Sequence, residues 1–369
     1  MSWISEKNRL LLHNEGIQPG DAFTIETVRS LAKEHPALDF EDVVTIVKHV
    51  NPDHFLEIMG EYCRTTNKLA SVKAAFEFAS LYLQKELLEF LINRHQEDEL
   101  LKDWCDAYEI KLRYLTGHLK AEDMIGVMRA ELTPTSDFDL IINNDIMEVI
   151  SFYRVREYSA SLYLAQQLEE KIQRSSNGFL KTTFSARLGV HFAITYLYAH
   201  NDLVKAENYA LSVLVNPVAP QPLIAAVHHT LSLIYLFTNE DRSLEHLNIA
   251  IEMFRELGNQ PQVDILLQDD LILLKNVYGK SVDLNGRIDL NERAHQYIVR
   301  GDYKKALDTL ALVDSTGNTS YLSEFYKAKA SKDPNQYVKA LRLAIKSGNV
   351  FYSEWYLREM NSFVPTKTT

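Results

Sequence analysis

The sequence predicts an all-α protein built from stacked helical hairpins. Three observations predict it: few chain breakers, a hairpin pattern that recurs at near-constant spacing, and a run of shorter helices at the N-terminus. The 369 residues contain only 13 Gly and 10 Pro, which suits helices with short links better than an all-β fold. A hydrophobic share of 46% supports a sizeable core, and the length fits two domains or one elongated array.

The hairpin is plainest in "DLNERAHQYIVRGDYKKALDTL" (289–310). Leu290, Ala294, Tyr297 and Ile298 form one helical stripe before Gly301-Asp302, and Ala306, Leu307, Leu310 and Leu312 start another. A Gly near a helix end followed by an acid in the next first turn reads as stop and start. The same shape turns near Gly117-His118, Arg156-Glu157, Asn201-Asp202 and Asn239-Glu240, at steps of 39, 45 and 38 residues. The longer step to Gly301 holds "YGKSVDLNGRI" (278–288), a predicted loop, and a last hairpin spans 323–349. Such periods, with aromatic-then-small spacing such as Tyr297…Ala306, predict a tetratricopeptide-like right-handed superhelix over residues 51–369. One hairpin cannot bury its own apolar stripe, and stacked neighbours bury it while leaving a concave inner face.

Residues 1–50 differ. Helical patterns at 5–13, 23–34 and 40–49 are separated by "NEGIQPGDAF" and "HPAL", with Thr24 and Asp39 placed to cap the second and third. Three short helices suit a small helix-turn-helix-like DNA-binding unit; they equally suit a bundle that caps the array. Five Lys and Arg stand here against eight Asp and Glu. Phosphate contacts need a basic surface, so charge by itself favours the cap.

The net charge is −11 and the pI about 5.6, so any DNA contact must come from a local basic surface. Cys63 and Cys105 lack metal-ligand spacing and are expected in the core of a protein from a reducing cytoplasm. The N-terminus has no signal-peptide pattern, and no apolar run is long enough to span a membrane. The motifs of phosphate-binding loops, dinucleotide folds, serine hydrolases and zinc proteases are absent, which predicts a non-enzyme with no cofactor. His228-His229 cannot easily share a metal, since neighbours on a helix point about 100° apart; one is expected to be buried and the other, His229, to line the groove. Asp269-Asp270 and Glu292…His295 read as solvated helix faces. What remains is a groove for an extended peptide, lined by polar residues of inner-helix patterns: Thr195, Asn291, Glu292, Asn318 and Asn349. Glu292 is suited to a peptide's N-terminal amine or Arg.

Several stretches resemble one family. "FLEIMGEYCRTTNKLASVKAAFEFA" (55–79), "LFTNEDRSLEHLNIAI" (236–251), "DLNERAHQYIVRGDYKKALDTLALVD" (289–314) and "FYKAKASKDPNQYVKALRLAIKSGNVFYS" (325–353) look like arbitrium receptors (AimR) of Bacillus phages, over roughly residues 30–360. The resemblance implies a homodimeric transcription activator. Its N-terminal helix-turn-helix would bind operator DNA, and its superhelix a secreted signalling peptide of about six residues that blocks activation and tips the phage toward lysogeny. It also implies ligand roles for Thr230, Asn291, Glu292, Asn318, Asn349 and Phe351. Thr195, Ala199, Leu233 and Pro222 stand where the family pattern has Asn or Arg, so a different cognate peptide is expected. In the N-terminal unit, Lys7, Arg9, Thr24, Thr27, Arg29 and Lys33 are the expected DNA contacts, with Arg29 and Lys33 on one helix face. The other reading, a peptide-sensing repeat protein of the Rap type, acts on proteins without DNA. The tail (352–369) offers Trp355, Tyr356, Leu357 and Met360 for dimerisation or for capping the last repeat.

Overall fold

The computed structural model describes residues 38–361 except Pro217 and Asn318. The expected helices at 5–13 and 23–34, the Thr24 cap and the DNA contacts Lys7, Arg9, Thr27, Arg29 and Lys33 lie outside the described residues, as does Asn318. Helices α1 to α5 span Phe40–Val50, Phe55–Thr65, Leu69–Leu81, Lys85–His95 and Lys102–Leu115. Helices α6 to α10 span Met124–Glu131, Phe138–Arg154, Tyr158–Arg174, Phe179–Thr195 and Leu203–Leu214. Then come α11 (Gln221–Tyr235), α12 (Glu240–Glu256), α13 (Gln260–Ile265), α14 (Leu271–Val277), α15 (Leu290–Val299), α16 (Tyr303–Ser315), α17 (Tyr321–Ser331), α18 (Pro334–Lys346) and α19 (Val350–Asn361). No strand occurs among the described residues.

The turns fall where the stripes break. Gly117, Arg156, Asn201 and Gly301 all take positive φ (80°, 67°, 49° and 75°), the left-handed geometry that ends a helix. Asn239, Asp302 and Asp333 then cap α12, α16 and α18 by accepting from backbone N–H groups. Asp39 makes a reciprocal capping box with Asp42 on α1. Residues 278–288 form a loop, as expected.

The described helices form two compact units. Unit 1 runs to Val155 and adds Tyr163–Leu188 and Val215–Pro220; unit 2 holds Arg156–Leu162, Gly189–Leu214 and the chain from Gln221. This division differs from the expected split at residue 50. Helix α1 does not stand apart: Phe40 packs on Tyr62, Phe78 and Phe179 at ring centroid distances of 5.6, 6.0 and 4.8 Å. Its apolar stripe of Val43, Val44 and Val47 is buried, so the third short helix belongs to the repeat core rather than to a separate N-terminal unit. Both cysteines are buried as free thiols.

Unit 1 encloses a charge network. Glu77 of α3 is fully buried and accepts from Tyr108 (2.6 Å) and Lys111 (2.9 Å) of α5 and from Arg187 (2.9 Å) of α9. Asn143 of α7 accepts from both cations. Burial opposes the charge on Glu77, but Arg187 and Lys111 hold its pKa at about 2. Lys111 falls to about 7 through burial and the nearby Arg187.

Within unit 2 the last repeat meets the first. Tyr158, opening α8, lies against Gly348 in the α18–α19 turn, where an added Cβ would sit 2.2 Å from its ring. Trp355 and Tyr356 do not stand out as a contact for a second chain. They pack on Phe325 of α17 at 4.5 and 4.0 Å, because α19 must cover the aromatic face of the last hairpin. Leu357 remains exposed and Met360 partly so.

Glu77→Gln is expected to lower unfolding free energy by about 3–5 kcal/mol, since it strands two buried cations. Lys111→Met keeps the Glu77–Arg187 pair and costs less; urea unfolding ranks the two. Gly348→Ala is expected to cost about 1–3 kcal/mol through positive φ and the clash. Pairing it with Tyr158→Ala should give a sum less than additive.

Candidate functional site

Two π-helical turns interrupt unit 2, at Tyr196–His200 after α9 and at Leu266–Asp270 between α13 and α14. A π turn inserts one residue per turn and re-aims the side chains after it, and such turns gather at functional sites. The second places Asp269 and Asp270 near Asp289 and Glu292. Asp289 caps α15 by accepting from the N–H groups of Asn291 and Glu292, which orients both.

Glu292 is buried, not a solvated helix face. Its Oε1 accepts from the Tyr326 hydroxyl (2.6 Å) and its Oε2 from Asn276 Nδ2 (2.9 Å). Asn276 in turn accepts from Gln296 Nε2 at 2.6 Å. His295 is buried as well, stacked on Tyr326 at 4.4 Å with Nδ1 3.5 Å from Glu292. Burial pushes His295 toward its neutral form, against the pull of Glu292. The i, i+3 spacing suggested an exposed pair; the stripe that carries it faces α17 instead.

Asp269 and Asp270 also depart from the solvated reading. Both are partly buried. Burial, then Asp289, Asp270 and Glu292, push the Asp269 carboxyl up to about 7. Among the described residues no hydrogen bond or ion pair engages Asp269. Asp270 lies 3.1 Å from His229 Nε2, within ion-pair distance but off the line a hydrogen bond needs. The adjacent His228 faces α12 and pairs with His246. Asn291 Oδ1 and, beside Tyr321, Asn349 Oδ1 are shielded without a hydrogen-bond partner, and His229 Nε2 and His295 Nδ1 have none beyond their ion-pair contacts with Asp270 and Glu292. Buried polar atoms are usually satisfied, so these are places where a ligand would gain.

Not every expected site residue joins this cluster. Asn349 donates to the Tyr321 hydroxyl at 2.8 Å. Phe351 is buried against Phe237 (5.2 Å), Tyr352 (5.0 Å) and Tyr198 of the first π turn (6.1 Å). Their link to the acids is Tyr352, whose hydroxyl is pushed well up by burial, Tyr321, Asp270 and, more weakly, Glu292. Thr230 bonds its own helix at the Ala226 carbonyl (2.9 Å). Thr195 is buried with its hydroxyl 3.3 Å from His191, which Ser161 also contacts at 2.8 Å. Burial pushes His191 down to about 4, a packed core histidine. Asp269, Asp270, Asp289 and Asn276 were not among the candidates. The doublet at 269–270 was the visible signal, but its burial follows from a π turn that side-chain periodicity does not reveal.

Among the described residues, no group of three or more His, Cys, Asp or Glu converges to hold a metal ion. No described helix is long and apolar enough to cross a membrane.

Comparison with known proteins fits this architecture. Residues 56–362 match the family model described as AimR transcriptional regulator-like. The AimR transcriptional regulator of Bacillus phage SPbeta is 21% identical over 342 residues, covering 87% of this chain and 84% of that protein. The SPbeta prophage-derived protein YopK of Bacillus subtilis (strain 168) matches to the same extent. The solved structure of phAimR with ligand aligns at TM-score 0.71 and 19% identity, over 90% of this chain and 98% of that one. That of selenomethionine phAimR aligns at 0.68 and 17% identity, over 97% of each. With most of its length matched, the chain belongs to the AimR transcriptional regulator-like family, a family of regulators rather than enzymes.

Proposed function

We propose that this regulator is a DNA-binding phage protein of the lysis–lysogeny decision, inhibited by a short secreted peptide that binds in unit 2. The observation that carries the ligand assignment is Asp269, a partly buried carboxyl with no partner among the described residues, crowded by three other acids. A cationic group, either a peptide N-terminus or an Arg, relieves that crowding and gains the carboxylate. The amide oxygens of Asn291 and Asn349, which have no hydrogen-bond partner, then serve the peptide main chain together with His229. Glu292 acts from behind, fixing Tyr326 and Asn276. Thr195, Thr230 and Phe351 are buried and enter as ligand residues from the inner-helix pattern and the resemblance, and Asn318 from both of these as well.

In this reading the chain ahead of α1 holds the reading head, with Lys7, Arg9, Thr24, Thr27, Arg29 and Lys33 toward operator DNA. The chain acts as a homodimer in the bacterial cytoplasm, because two half-sites require two heads. Among the described residues of the tail, Leu357 and Met360 are the apolar side chains offered to a partner chain. The competing reading is a peptide sensor that acts through proteins. It draws its support from the acidic balance of residues 1–50.

Selection of phage genomic DNA fragments on the purified protein across a salt series tests the regulator reading. One enriched palindromic site, with affinity falling steeply in salt, is expected; no enrichment at low salt leaves the protein-docking reading standing. Arg29→Glu with Lys33→Glu should abolish operator binding and leave peptide affinity intact.

For peptide, Asn291→Ala should weaken binding about tenfold with little loss of stability, since its Oδ1 has no partner to lose. The pH dependence follows from Asp269. A bound cation favours its ionised form, so binding expels a proton below pH about 7. Affinity should rise with pH toward 7, by at most about tenfold per pH unit, and level off above it. Titration calorimetry of Asp269→Asn should show that slope flattened; an unchanged slope rules Asp269 out.

A further inference from the structure

The α11–α12 seam carries a second titratable cluster, apart from the acidic site. His228 of α11 and His246 of α12 face each other with Nδ1 to Nδ1 at 2.9 Å and ring centroids 5.1 Å apart. Two imidazole nitrogens at that distance share one proton: one ring donates and the other accepts. Tyr235 of α11 stacks on His246 at 5.7 Å, with Arg242 of α12 3.9 Å over the tyrosine ring. The Tyr235 hydroxyl donates to Glu207 of α10. Glu245 is the other charged neighbour of both imidazoles, and Arg242 and Glu207 act on His246.

We propose that His228 and His246 form a one-proton latch between α11 and α12, closed at neutral pH and opened by a second proton in mildly acid solution. The doubly protonated pair would set two N–H donors head to head and two cations in contact, with no acceptor between them. Glu245 and Glu207 offset part of that repulsion from the flanks, and Arg242 adds to it. The helices must then part or the rings swing out. Because α11 also presents His229 and Thr230, the latch sets how that helix sits on its partner, whatever ligand unit 2 takes.

The direction of the pH effect follows from the burial that favours neutral imidazole in both rings. A histidine held below its ordinary value binds fewer protons in the folded chain than in the unfolded one. Its contribution is therefore whole above about pH 6.5 and lost as pH falls.

The test is imidazole NMR titration and amide hydrogen exchange on the full chain. His228 and His246 should titrate as a coupled pair in two separated steps. His246→Gln should leave His228 titrating in one step nearer the ordinary value. Amide opening along 243–251 of α12 should increase by about fivefold or more between about pH 7.5 and about pH 5.5, after correction for intrinsic exchange. In His228→Gln/His246→Gln, whose amides keep a hydrogen bond without a titrating proton, opening should stay flat. Independent single-site titration of the two wild-type rings overturns the latch, and so does equal acid-driven opening in the double variant. Should that variant fail to fold, the wild-type titration decides alone.

Discussion

A two-helix hairpin has an apolar stripe that neither of its own helices can cover, and the rest of this structure follows from covering it. Each hairpin borrows the next as its lid. The need does not stop at the last repeat, where α19 brings Phe351, Trp355 and Tyr356 in as the final cover. The same demand draws α1 into the first core through Phe40, Val43 and Val47. A helix that looked like part of a separate N-terminal unit packs into the core of unit 1.

Stacking of this kind buries charge wherever a polar residue falls on an inward stripe, and the two units answer it in opposite ways. Unit 1 surrounds one carboxylate, Glu77, with two cations, a tyrosine and an amide. That network is satisfied from every side and serves as structure. Unit 2 gathers Asp269, Asp270, Asp289 and Glu292 with far less positive charge among them. Glu292 is satisfied by Tyr326 and Asn276, and Asp289 by its helix cap. Asp269 is left at about 7. A polar cluster with one unsatisfied member is costly in a low-dielectric setting, and a ligand that supplied the missing charge would recover that cost.

Much of this was legible in the sequence. Leu290, Ala294 and Ile298 against Ala306 and Leu310 specify two helices, and Gly301-Asp302 specifies the turn, because stripe periodicity and left-handed turn geometry are local properties. Asn291 and Glu292 came forward on the same local grounds, together with the family resemblance. The reading of Asp269-Asp270 as a solvated face failed for a physical reason. A π turn shifts the register by one residue, so a doublet that the regular helical repeat points outward turns toward Asp289 and Glu292.

By itself the sequence determined the regular helices of the described chain, the Asp39 cap, the hairpin turns and the family, since each rests on residues within a few turns of one another or on a pattern running most of the length. Tertiary structure decided what those residues are for. Burial, not spacing, makes Glu292 a buried acceptor, His191 a core histidine and His228 the partner of His246. Each depends on which helix lies across from it, and a pair such as Tyr158 and Gly348 meets only because the chain between them has folded.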